Sequence, residues 1–281
     1  ESNPITELLK LYVQFHQESE KNPALDDEAR LEFKNFENGD AENKKLWQWF
    51  VDESMKETQK TYDKLGGIHF DYTQGESFYA DKTGDILKEG KDKGIFVVGE
   101  EGAYVIHYED ENIPTLPIQK KDGATLYITR DFAALLYRIK HWNPVKIIYV
   151  VDVAQSTHFR QLFTGARMLG WYNGEAEHVS FGRMQFKDAK MSTRKGNIIL
   201  LDEVLDEAVA RTRAMIEGKN PDLYDKEHVA RVIGIGAVKY NILSQNRTTD
   251  LVFDWDKMLS LEGNSAPYLQ YSYARAKSIL R

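Results

Sequence analysis

Apolar positions along this chain change their period several times, and each change marks a different kind of element. Leu8, Leu9, Tyr12, Val13 and Phe15 recur at helical spacing behind Pro4, a residue suited to a first helical turn. The pattern predicts a second helix over 26–36, ended by Asn38-Gly39, and a third over 43–65, stopped by Gly66-Gly67. Trp47, Phe50, Val51 and Met55 would form the buried side of the third helix. Residues 68–72 and 104–108 alternate like strands, with a helix near 82–93 between them. Pro114 and Pro117 then mark a boundary.

From residue 124 the pattern reads strand, helix, strand, helix, strand. The strands fall at 125–129, 145–151 and 178–182, and the helices at 132–141 and 156–169. The run 145–151 is mostly apolar and β-branched, as expected for a strand covered on both faces. This order implies a parallel sheet with right-handed crossovers. An amphipathic helix begins near Asp202, with Val204, Leu205, Ala208, Val209 and Met215 on one face. Residues 201–281 read as almost wholly helical, with turns at 219–222 and 262–266. Four parts are expected: a helical connection over 1–67, a small inserted α+β module over 68–118, an α/β segment over 119–200 and a helical exit over 201–281.

Composition narrows the chemistry. The chain has 281 residues, 42% of them hydrophobic, enough for one large domain or several small ones. It contains no cysteine, which excludes disulfides and thiolate metal sites. Its histidines form no His-x-x-x-His pair, so no metal site is expected. The longest apolar run, around 145–154, carries Lys146 and Asp152 and is too short to span a bilayer. A net charge of −7 argues against non-specific polyanion binding but leaves room for a local basic face. Acidic residues crowd into 18–57, leaving 187–195 and 211–247 comparatively basic.

Ligands of open parallel sheets bind beyond the carboxyl ends of the strands. At one predicted strand end, Tyr127 leaves the strand and Asp131 opens the next helix; at the other stand Gln155 and His158. These four would share one rim. A carboxylate beside a phenol and an amide suits a guanidinium and an α-ammonium group. Locally, Asp131 also reads as a helix N-cap, Tyr127 as an ordinary strand aromatic, Gln155 as a loop amide and His158 as an exposed helix-start residue. Residues 190–196, Lys-Met-Ser-Thr-Arg-Lys-Gly, put three cations, two small hydroxyls and a glycine in one loop that could close over a polyphosphate. The alternative is a solvated basic turn.

Lys190-Met191-Ser192 resembles the start of the KMSKS loop of class I aminoacyl-tRNA synthetases, and Thr193-Arg194-Lys195-Gly196 resembles the variant of the arginyl branch. Tyr127-x-x-x-Asp131 and Gln155 resemble that branch's arginine-recognition residues; the segments 158–163, 236–240 and 262–271 and the first residues from Asn3-Pro4 add to the likeness. The resemblance implies part of a Rossmann-like parallel sheet of the α/β class, with an inserted small α+β module and a C-terminal helical segment. It implies arginine held by Tyr127, Asp131 and Gln155, and ATP met by His158, Lys190, Met191 and Ser192. Lys190 and Lys195 would act in catalysis, and Lys239 could reach the tRNA backbone or simply be solvated. It further implies Mg²⁺ with the ATP, tRNA(Arg) as partner, no membrane, a cytoplasmic setting, and activation that needs bound tRNA. No His-x-Gly-His motif occurs, and the first residue is Glu1. The chain is therefore expected to be an internal catalytic-region piece, inactive alone and without the anticodon-binding domain. Another nucleotidylyltransferase of the same fold, or a catalytically silent ligand-binding fragment, are the competing expectations.

Overall fold

The computed structural model describes residues 4–186 and 200–281. The loop 190–196, with Lys190, Met191, Ser192 and Lys195, lies outside the described residues, as does the rest of the basic stretch 187–195. The chain divides into two compact units. One comprises Glu1–His69, Met184–Asn246 and Leu251–Arg281; the other comprises Phe70–Arg183 and Arg247–Asp250.

The first unit opens with three helices, α1 (Pro4–Ser19), α2 (Ala24–Glu37) and α3 (Ala41–Lys64). Asp40 caps α3 by accepting the Asn43 backbone N–H at 2.9 Å. Gly66 and Gly67, with φ of 109° and 79°, end it as expected, since both sit in the left-handed region. The expected buried stripe is a correction. Trp47, Phe50 and Val51 are only half-buried, and Met55 is exposed. Neither α2 nor α3 has a fully buried residue, because these helices meet through narrow contacts such as Phe36 on Trp47 at 5.5 Å.

The second unit follows. A 3₁₀ segment (Glu76–Lys82) leads into α4 (Thr83–Asp92), and then β1 (Val97–Val98), β2 (Tyr104–Ile106) and β3 (Leu116–Gln119) form an antiparallel sheet in that order. The segment 68–72, expected as a strand, is irregular. Pro117 stands inside β3 opposite Val105, on an edge strand where a missing N–H is tolerated. Helix α5 (Tyr127–Trp142), strand β4 (Lys146–Asp152), helix α6 (Ser156–Met168) and strand β5 (Glu175–Phe181) complete the unit. β4 and β5 pair in parallel, from Lys146 opposite Glu175 to Asp152 opposite Phe181, with α6 as crossover. The core joins α4, β2, β3, α5 and α6 through Ile86, Ile106, Ile118, Phe132, Leu135 and Leu162, each at most 2% exposed.

The α/β reading holds, but the strand expected at 125–129 does not form. Thr125 makes only an isolated bridge to Gln119, and Tyr127 already begins α5. The reason is local to Thr129. Its hydroxyl, fully buried, donates to the Ile118 carbonyl at 2.6 Å and accepts the Leu126 N–H at 3.3 Å. That pairing closes a first helical turn over residues whose β-branched and aromatic side chains otherwise favour a strand.

The chain then re-enters the first unit with β6 (Met184–Phe186), α7 (Leu201–Lys219), α8 (Lys226–Leu243), β7 (Leu251–Phe253), α9 (Trp255–Met258) and α10 (Ala266–Ile279). Val204, Leu205 and Ala208 of α7 pack on Ala237 and Val238 of α8. Gly234 allows this approach, since a Cβ there would lie 2.8 Å from the Ala208 backbone. Lys64 ties α3 to α7 through Asp202 at 2.7 Å and Asp206 at 2.8 Å. Strand β7, parallel to β6, interrupts the tail expected to be almost wholly helical.

Candidate functional site

Three of the singled-out residues meet where the first turns of α5 and α6 face one another. Tyr127 and Asp131 stand four residues apart on α5, so both project from one side of the helix. His158 is the third residue of α6. Its Nε2 lies 2.9 Å from Asp131 Oδ2, and its Nδ1 lies 3.3 Å from the Tyr127 hydroxyl. The Tyr127 and His158 rings stack, with centroids 5.2 Å apart and planes 11° apart. The His158 side chain is 10% exposed and that of Asp131 33%, while Tyr127 is 59% exposed. The cluster therefore grades from a covered imidazole to an open phenol.

The position of each residue follows from its element. Thr129 fixes the start of α5 and so places Tyr127 and Asp131. Asp152 ends β4 and accepts the Ala154 N–H at 2.7 Å, which turns the chain through a short 3₁₀ segment (Val153–Gln155) into α6. Phe159 lies edge-on to His158 and packs on Tyr149 and His178 beneath it. Burial pushes the Tyr149 hydroxyl up, against the pull of the nearby Arg138 guanidinium. Arg183 Nε donates to Asp152 Oδ2 at 3.0 Å. The backbone N–H of Ala154 first, and the Arg183 guanidinium next, hold the Asp152 carboxyl below the usual range.

Several expectations change here. Tyr127 does not leave a strand; it is the first residue of a helix. Asp131 lies inside α5, so the N-cap alternative is also set aside. Gln155 stands at the entrance to α6 and is exposed. His158 turns toward Asp131 and Tyr127. Thr129 and Arg183 take part without a local sequence signal, whereas Asp152, an aspartate closing a long β-branched run, stands out in the sequence. Among the described residues, no group of three or more histidine, aspartate or glutamate side chains is arranged to hold a metal. Nor is any described helix long and apolar enough to cross a membrane.

Chemically, the cluster offers acceptors to a cationic donor. Asp131 uses Oδ2 on His158, and Oδ1 is engaged by no described residue. A planar group with several N–H donors would satisfy both that oxygen and the Tyr127 oxygen.

Residues 1–255 match the family described as tRNA synthetases class I (R), catalytic domain. An arginine–tRNA ligase of Exiguobacterium sp. (strain AT1b) is 50% identical over 281 residues, covering 100% of this chain and 50% of that protein. One from Clostridium botulinum (strain Loch Maree) is 48% identical over 283 residues, again covering 100% and 50%. The chain thus spans about half the length of these relatives. A crystal structure of arginyl-tRNA synthetase from Plasmodium falciparum superposes with a TM-score of 0.78 at 28% identity, over 92% of this chain and 44% of that one. The Thermus thermophilus arginyl-tRNA synthetase shares the fold, with a TM-score of 0.77 at 24% identity over 97% and 51%. By the extent of its match, the chain belongs to the class I tRNA synthetases of the arginine branch, within their catalytic domain.

Proposed function

We propose that the protein carrying this chain is an arginine–tRNA ligase, which activates arginine with ATP and transfers it to tRNA(Arg). The observation that carries this reading is the Asp131 carboxylate and the Tyr127 hydroxyl, one helical turn apart on α5 and brought to the two nitrogens of His158. An arginine guanidinium presents parallel donors to such a pair. Gln155, exposed at the start of α6, would meet the α-amino group.

The arginine carboxylate then attacks the α-phosphorus of ATP. A carboxyl oxygen–phosphorus bond forms as the bond to pyrophosphate breaks, giving arginyl-adenylate. A ribose hydroxyl of the tRNA terminus next takes the arginyl group and releases AMP. No side chain needs to act as a nucleophile; orientation and charge neutralisation supply the rate. Lys190, with Lys195, would stabilise the departing pyrophosphate, while Met191 and Ser192 would line the nucleotide. Magnesium would accompany the nucleotide substrate. The reaction takes place in the cytoplasm, where its tRNA is used.

The test is exchange of labelled pyrophosphate into ATP by the full-length protein, with tRNA present and each amino acid in turn. Exchange with arginine is expected. Exchange driven by another amino acid would overturn the assignment.

A further inference from the structure

Resting on that reading, we infer that His158 is the positioning residue that makes the arginine pocket acceptor-only. Its ring is held between two recognition groups, with Nε2 at 2.9 Å from Asp131 and Nδ1 at 3.3 Å from Tyr127. A carboxylate can only accept, and a neutral imidazole has one N–H. The neutral tautomer that fits both partners carries its N–H on Nε2, donating to Asp131 Oδ2, with Nδ1 accepting the Tyr127 O–H.

Two consequences follow. The Asp131 carboxylate is fixed through Oδ2, which leaves Oδ1 to a ligand. The Tyr127 proton is committed to His158, so the oxygen that remains offers lone pairs alone. A guanidinium has donors and no acceptor, and it matches this polarity. The stack on Tyr127 at 5.2 Å and the edge contact with Phe159 keep the imidazole in that orientation. With both ring nitrogens engaged and its side chain 10% exposed, His158 acts through Asp131 and Tyr127 and has no nitrogen free for a nucleotide.

The experiment measures KM for L-arginine and for ATP in pyrophosphate exchange by the full-length protein with tRNA. His158→Phe keeps a stacked ring and removes both hydrogen bonds. It should raise the arginine KM about tenfold or more, with the ATP KM moved less than about twofold. His158→Gln, whose amide keeps a donor near the Nε2 position, should recover most of the loss. In an Asp131→Ala background, His158→Phe should add less than about twofold, because the acceptor of its Nε2–H is already gone. A raised ATP KM with unchanged arginine KM would overturn the inference in favour of a nucleotide contact. An equal rise for both substrates, or no recovery by glutamine, would reduce His158 to packing. An impaired Asp131→Ala with a normal His158→Phe sinks this inference alone; a normal Asp131→Ala sinks the arginine reading, and this inference with it.

Discussion

The Thr129 hydroxyl donates to the Ile118 carbonyl at 2.6 Å, joining the start of α5 to β3. The same oxygen accepts the Leu126 N–H, so one buried side chain decides where the helix begins. Thr129→Val keeps the shape and leaves both backbone groups without that partner. It should destabilise the protein by about 1–3 kcal/mol and weaken arginine binding, because Tyr127 and Asp131 ride on this turn. Urea denaturation and an arginine titration check both parts. Unchanged values would leave the helix start to other contacts.

Asp152 and Arg183 give a pH-dependent contribution of known sign. The folded carboxyl is depressed below its ordinary value of 3.8, first by the Ala154 N–H and then by Arg183. A depressed carboxyl stabilises the fold above that ordinary value, and the contribution is lost as pH falls through the lower folded value. Asp152→Asn should therefore melt at a lower temperature at neutral pH, and the difference should close in acid. Melting curves across that window decide it; a constant difference at every pH would contradict the linkage.

Gly234 sits where α8 crosses α7, with its missing side chain facing the Ala208 backbone at 2.8 Å. Backbone cannot swing aside as a flexible side chain can. Gly234→Ala should cost about 1–3 kcal/mol by overpacking, despite the better helix propensity of alanine. A stability equal to or above the parent's in chemical denaturation would show that the helix pair yields.

Elements with a long, strong local signal were legible from residue order. The β-branched run before Asp152 is a strand, the Gly66-Gly67 pair stops a helix, and the apolar face from Val204 lies on α7. What escaped depends on distant partners. Leu251-Val252-Phe253 is too short to show a period and becomes a strand only beside Met184–Phe186. The β-favouring composition of 126–129 is overridden by the bond from Thr129 to Ile118. At the candidate site the residue types are legible in the sequence, but their placement is not. Tyr127 and Asp131 share a face because they are one helical turn apart, not because a strand delivers them to a rim. Nothing local announces that His158 would close on both, since that contact arises from how α5 and α6 pack.

Asp131 is the group proposed to recognise a guanidinium. The most direct test of that role is to compare Asp131→Ala with the parent in the full-length protein, titrating L-arginine and ATP separately with tRNA present. Arginine binding should weaken by about 2–5 kcal/mol, the cost of removing one partner of a charged hydrogen bond that bound arginine covers, while ATP binding holds. Small and equal effects on both ligands would contradict that role and leave Asp131 a structural residue of α5.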